Sequence, residues 1–208
     1  MGGACGTDVT VWGRLGVLLL VLVGLALFLS LLLGGDLRRL GDVHIRVSPL
    51  ILLSLLLQIV IFTRWWQSAM PYRAVTSGLY IVSLLLLLTA GWVNRRLPGL
   101  SVLLLGLASN ALVIFANGGT MPASLWAMRT AGIVDSQATF EAMRTANSSI
   151  AGIETPLWFL GDILAIPSRF PLANVYSIGD VLIALGGIWF IVANTRPHRA
   201  PQPPQADR

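Results

Sequence analysis

From Leu15 to Leu33 the chain runs through nineteen residues without a charge, and four more long apolar stretches follow. A helix rises ~1.5 Å per residue, so a run of that length nearly spans a hydrocarbon core of about 30 Å. The run ends in Gly34-Gly35-Asp36-Leu37-Arg38-Arg39 without a small-x-small cleavage site, which makes it a first span and not a secretory leader. The second, Val47 to Thr63, is opened by Pro49 and interrupted by Ser54 and Gln58; Arg64-Trp65-Trp66 closes it as an interfacial anchor, and Met70-Pro71-Tyr72-Arg73 is the turn that follows. The third, Ala74 to Val93, leaves through Trp92 and Arg95-Arg96. The short link to Pro98 permits only a tight antiparallel return into the fourth, Pro98 to Ala116. Ile178 to Asn194 is the last.

Composition agrees. Of 208 residues, 55% are hydrophobic and 11% charged, with mean hydropathy +0.78, a balance that a water-soluble domain cannot cover with polar surface. All 14 basic residues are Arg, which removes P-loop, Schiff-base and Ser-Lys chemistry and reads as the coding bias of a GC-rich bacterium. The net charge of +5 does not point to nucleic acid, because the arginines stand singly or in pairs at the ends of apolar runs. Cys5 alone gives no internal disulfide, and His44 and His198 have no second ligand at metal spacing. With no Ser/His/Asp set and no nucleotide loop, the chain reads more as a non-enzyme, and no cofactor or metal is expected.

Between the fourth and fifth spans lies the only long loop, 117–177. It begins with Asn117-Gly118-Gly119-Thr120-Met121-Pro122, where two glycines permit positive φ and the proline forbids an ordinary continuation. Pro122 to Ile133 and Gln137 to Ile150 are compatible with short helices, with Asp135 and Ser136 as an N-cap between them. Pro156 to Ile166, bracketed by prolines with Asp162 in its middle, has eleven residues, and ~17 Å of helix is too short to cross. It is expected to be a re-entrant or interfacial helical segment. The predicted fold is therefore an all-α integral membrane protein: about five transmembrane helices (15–33, 47–63, 74–93, 98–116 and 178–194) and this one segment. Residues 1–194 form a single membrane domain, and 195–208, with four prolines, form a disordered tail.

Five spans put the links after the first, third and fifth on one side. That side carries Arg38, Arg39, Arg46, Arg95, Arg96, Arg196, Arg199 and Arg208, whereas the other, outside the long loop, carries Arg14, Arg64 and Arg73. The bias places the C-terminus in the cytoplasm of a bacterial inner membrane and the long loop outside.

Four motifs in order, Gly34-Gly35-Asp36-Leu37-Arg38-Arg39-Leu40, Asn117-Gly118-Gly119-Thr120-Met121-Pro122, Leu157-Trp158-Phe159-Leu160-Gly161-Asp162 and Ser177-Ile178-Gly179-Asp180-Val181-Leu182, resemble an uncharacterised family of bacterial multi-pass membrane proteins, domain of unknown function 5317. The resemblance covers Leu15 to Val192, and the order of the motifs is more specific than any one of them. It implies several spans and no assigned activity.

Functional candidates come from where polar residues fall along the spans. Asn110 and Asn117, seven apart, share a face near the outer end of the fourth span; Ser54 and Gln58 share one on the second; Tyr80 and Ser83 stand at the outer start of the third. Asp180 heads the fifth from the same side, and the return through Arg169 to Tyr176 is short enough to bring Asp162 close to it. The expected product is an outward polar pocket of Gln58, Asn110, Asn117, Gly118, Gly119, Asp162 and Asp180, in which the two carboxylates titrate together. Blander readings stand beside it. Asp180 has the setting of an N-cap, Asn110 and Gln58 could be interhelical glue, Gly118-Gly119 is more a turn than an anion nest, and Asp162 could cap a half-helix or pair with Arg169. The trptophan-rich positions Trp65, Trp66, Trp92 and Trp189 are belts. Two functions follow: a protein that binds or moves a small polar or cationic solute or lipid head group, or a structural subunit of a membrane complex. The bilayer is the partner expected with either, a small solute or lipid head group is added by the first, and protein partners are left open.

Overall fold

The computed structural model describes residues 21–69, 73–136, 148–152 and 154–196. Helices stand where the apolar runs predict them. They are α1 (Val21–Leu32), α2 (Ser48–Ile61), the short α3 (Arg64–Ala69), α4 (Arg73–Val93), α5 (Leu100–Ala116), α6 (Leu125–Thr130) and α7 (Ile178–Thr195). Residues 15–20 of the first expected span, 70–72 of the expected turn, and 197–208 of the expected tail lie outside the described residues. The chain is mostly helical, and α4 and α7 are long and apolar enough to cross a membrane.

Local chemistry sets the boundaries. A 3-10 turn, Leu37–Asp42, follows α1, and Asp36 caps it by accepting from the Arg38 N–H at 3.0 Å. Pro49 sits in the first turn of α2, where no intrahelical donor is lost. Asn94 ends α4 by donating to the Ala90 carbonyl while exchanging two bonds with the Arg46 backbone, all at 2.8 Å, so the start of α2 is sewn to the end of α4. At the same end of the bundle, buried Ser30 donates to Thr195 at 2.7 Å and the Asp36 N–H to the Thr195 carbonyl at 2.8 Å, joining α1 to α7. Arg38, Arg39, Arg46, Arg95, Arg96 and Arg196 thus gather at one end.

Across the bundle α2 packs on α4, α4 on α5, and α5 on α7. The α5–α7 crossing is the tightest. A Cβ on Gly106 would fall on the Gly179 carbonyl, and one on Gly186 on the Leu103 N–H, so the two backbones touch along an antiparallel seam. Leu84, Val113, Ile114 and Met121 form a buried cluster beside that seam, with Tyr80, Leu107, Leu157 and Leu160 packed against it. The outward faces are apolar instead of charged: Leu52, Leu56, Ile59, Leu85, Leu105, Phe115 and Leu185 are all exposed.

The long loop departs from the all-α expectation, because it folds into a small mixed cap at the end opposite the arginines. β1 (Met121–Ala123) pairs in parallel with β2 (Ser148–Ile150), and β3 (Leu164–Ile166) pairs antiparallel with β4 (Asn174–Tyr176). Ser124 caps α6, which packs against both strands of the β3–β4 hairpin. Of the two short helices expected here, the first exists only as Leu125–Thr130; residues 137–147 of the second lie outside the described residues and 148–150 are strand. The expected re-entrant helical segment is corrected too. Residues 156–166 make a turn, a 3-10 turn at Trp158–Leu160, a bridge at Asp162 and then β3. Gly161 explains why: a Cβ there would meet the Pro122 carbonyl, so this backbone lies directly on β1, and helical bonding is replaced by bonds between strands.

Candidate functional site

At the cap end, the head of α7 is held by a capping box. Ser177 is the N-cap, accepting from the Asp180 N–H at 2.9 Å, and Asp180 reaches back to accept from the Ser177 N–H at 2.9 Å. Asp180 is therefore at the third helical position and is not itself the N-cap. Its other oxygen accepts from Asn110 Nδ2 at 2.8 Å, while Asn110 Oδ1 accepts from the Ser177 hydroxyl at 2.8 Å. Asn110, Ser177 and Asp180 close a ring between α5 and α7. It exists only because Gly179 has no side chain, since a Cβ there would overlap Asn110 Oδ1.

Asp162 is held differently. Its backbone is pinned to β1: its N–H donates to the Pro122 carbonyl and its carbonyl accepts from the Ser124 N–H, both at 2.9 Å. Its carboxylate, partly buried, has no hydrogen-bond or ion-pair partner among the described residues. Burial, and after it the charge of Asp180, push the Asp162 carboxyl up from the ordinary 3.8 to about 7. The Tyr80 hydroxyl of α4 has no described hydrogen-bond partner. Tyr176, at the end of β4, is raised by burial and then by Asp180; its hydroxyl donates to the Leu172 carbonyl at 3.1 Å.

Among the described residues, Ser109 Oγ is the one side-chain polar atom both sealed and unpartnered. Arg169, the candidate counter-ion, does not neutralise Asp162; it is exposed and its guanidinium lies over the Phe170 ring, 5.1 Å from the centroid.

The other sequence-derived candidates fall in two places. Gln58 donates to Ser83 Oγ at 3.1 Å, Ser83 Oγ donates to the Tyr80 carbonyl at 2.7 Å, and buried Ser54 donates to the Ser83 carbonyl at 2.8 Å. This polar thread leads from Tyr80 into the α2–α4 interface. Asn117 stands apart, donating to the Val113 carbonyl at 2.8 Å and the Pro156 carbonyl at 2.9 Å, so it fastens the cap to α5 and does not bond either carboxylate. Gly118 and Gly119, at φ +64° and +86°, turn as their sequence predicts. The Gly118 and Gly119 N–H groups donate to the Phe115 and Ile114 carbonyls, which makes them a helix C-cap and leaves no anion nest. The site residue that sequence reasoning missed is Ser177. Its signal was present as Ser177-x-x-Asp180, and the seven-residue spacing of Gly99/Gly106 and of Gly179/Gly186 marks the close seam that carries the ring.

Fold and site together define a mostly helical protein, with two helices long and apolar enough to cross a membrane and a small mixed cap carrying a carboxylate without a partner among the described residues. The chain belongs to the family of unknown function DUF5317, whose model matches residues 42–192. The early Gly34 to Leu40 motif lies outside that match. Neither a curated protein nor a solved structure matches the chain.

Proposed function

We propose that this is a five-span membrane protein that binds a small polar or cationic solute, or a lipid head group, at the cap through Asp162. α1, α2 and α5 complete the span set with α4 and α7, and the apolar outer faces support their contact with lipid. The arginines gathered at the opposite end favour a cytoplasmic C-terminus and an outward cap. One observation supports the functional reading: the partly buried Asp162 carboxylate has no hydrogen-bond or ion-pair partner among the described residues, whereas both oxygens of Asp180 are bonded. A purely structural carboxylate would be satisfied as Asp180 is, because an unpaired buried charge is costly.

The structural-subunit reading has its own support in the cap's exposed aromatics, Trp126, Trp158, Phe159 and Phe170, which would suit a docking surface. The test is thermal unfolding of the full-length protein in phosphatidylcholine nanodiscs at low salt, scanned against a panel of small cations, polar solutes and head-group analogues. Binding through the cap predicts that at least one compound raises the transition of the wild type and not that of Asp162→Asn. If no compound distinguishes the two, and Asp162→Asn and Asp180→Asn lower stability additively, the structural reading replaces this one.

A further inference from the structure

Resting on the five-span reading and independent of Asp162, we infer that the end of the bundle opposite the cap is a docking surface for anionic phospholipid head groups, centred on Arg46, Arg95 and Arg96. Contacts between distant parts of the chain build this end. Buried Asn94 accepts from the Arg46 N–H and donates to the Arg46 carbonyl, both at 2.8 Å, so Arg46 lies beside the two arginines that follow Asn94. The Asp36 N–H donates to the Thr195 carbonyl at 2.8 Å, which brings the 3-10 turn carrying Arg38 and Arg39 next to Arg196. Arg38, Arg39, Arg46, Arg96 and Arg196 are exposed, and Arg95 is half-buried. Asp36 and Asp42 stand near them, yet among the described residues no ion pair neutralises any of these arginines.

An orientation signal needs only an excess of positive charge on one side and no fixed geometry. Here the geometry is fixed. Asn94 grips the Arg46 backbone, and Val47 beside it is kept at φ 52°, a left-handed conformation that is unfavourable for a β-branched residue. The Arg95 guanidinium donates to the Trp92 carbonyl at 2.8 Å and lies 4.3 Å from the centroid of the exposed Trp92 ring, so it is ordered on an interfacial aromatic before any partner arrives.

Depth decides the class of partner. α4 ends at Val93 and α5 begins at Leu100, Arg46 closely precedes α2, and Arg196 directly follows α7, so none of these groups rises far above the helix ends. Exposed Trp92, Ile45 and Val47 are interleaved with them. A guanidinium at that level meets the phosphate of a lipid, which it binds through two parallel N–H donors, and a surplus of such groups favours a lipid whose head group carries no cation of its own. A soluble acidic protein or a nucleic acid is better met by charges on a projecting element.

The experiment reconstitutes the full-length protein in phosphatidylcholine vesicles at low salt and measures, by electron spin resonance, the motionally restricted fraction of spin-labelled phosphatidylglycerol and of spin-labelled phosphatidylcholine. Labels in both leaflets are read, so the direction of insertion does not matter. The wild type should favour the phosphatidylglycerol label about fivefold, the worth of one well-placed arginine, and high salt should bring the two labels close together. Arg46→Gln, Arg95→Gln and Arg96→Gln combined should remove most of the preference, whereas Arg129→Gln with Arg169→Gln at the cap should leave it unchanged. Equal restriction of the two labels in the wild type overturns the inference and leaves the arginines as an orientation signal. A preference undiminished by the triple substitution overturns it as well. Inorganic phosphate is the other source of the same chemistry: displacement of labelled phosphatidylglycerol by phosphate, beyond that by chloride of equal ionic strength, assigns a soluble anion and overturns the lipid assignment. Should the triple variant not fold, the wild type at low and high salt decides, since a preference that salt does not weaken contradicts a surface built on charge. No restricted fraction with either label overturns the five-span reading, and this inference with it.

Discussion

Replacing Asp162 by Asn exchanges a carboxyl for an amide of nearly the same shape while removing its titration. The folded protein holds this carboxyl at about 7 against an ordinary 3.8, so in the folded state it keeps its proton over a range where the unfolded chain has released it. The stabilisation that belongs to the protonated form is therefore complete below the ordinary carboxylate value and is lost as pH rises through about 7. At ~1.36 kcal/mol per pH unit the difference is roughly 4 kcal/mol, an upper bound because the residue is only partly buried and its charge is screened. For a chain of this size that bound is on the order of 10 °C in the unfolding transition. Thermal unfolding in nanodiscs from pH 5 to pH 8.5 reads the share lost above pH 5, about two pH units or roughly 3 kcal/mol. Wild type should lose stability through neutrality, whereas Asp162→Asn should match it at pH 5, stay level and exceed it at pH 8.5. An Asn variant that is weaker at every pH and follows the wild-type slope would refute the reasoning, because it would mean that the ionised carboxylate is satisfied by a partner.

Three other perturbations probe the frame around the site. Gly179→Ala should cost about 1–3 kcal/mol or abolish folded yield, because its Cβ overlaps Asn110 and the Gly106 carbonyl; Gly187→Ala on the same helix, with nothing near its Cβ, should be neutral or stabilising by about 1 kcal/mol. Asn94→Ala removes three hydrogen bonds at a buried position and should lower stability by about 2–4 kcal/mol in the same unfolding assay, whatever the pH. For topology, a Cys at Ser148 in a background lacking Cys5 should react with an impermeant thiol reagent in intact cells, and tags at Ser149 and Arg169 should report one compartment; labelling only after lysis would reverse the orientation.

Long apolar runs are legible because burial or lipid contact requires many consecutive residues, and the expected bounds of 47–63, 74–93, 98–116 and 178–194 fall within a few residues of α2, α4, α5 and α7. The cap is not legible in that way. Its strands have three residues each, too short to show alternation, and pair through contacts far apart in sequence, as Ala123 does with Asp162. Eleven apolar residues between prolines could state that Pro156 to Ile166 does not span, but not that Gly161 would lay it on β1. At the site, the nearness of the two carboxylates follows from chain length and connectivity. Their inequality does not, since it depends on Ser177, Asn110 and the glycine seam satisfying Asp180 while the β1 pairing holds only the backbone of Asp162. Asn117 shares the correct face with Asn110, yet its reach ends at the Pro156 carbonyl.

The central claim is that Asp162 is a carboxyl without a partner that changes charge near neutrality. Infrared titration of the full-length protein in nanodiscs from pH 5 to pH 9 observes this directly. The account predicts a protonated-carboxyl carbonyl band that disappears with a midpoint near 7, is absent from Asp162→Asn and persists in Asp180→Asn. A wild-type protein with no such band at pH 6, or a band that survives in Asp162→Asn and is lost in Asp180→Asn, would contradict it.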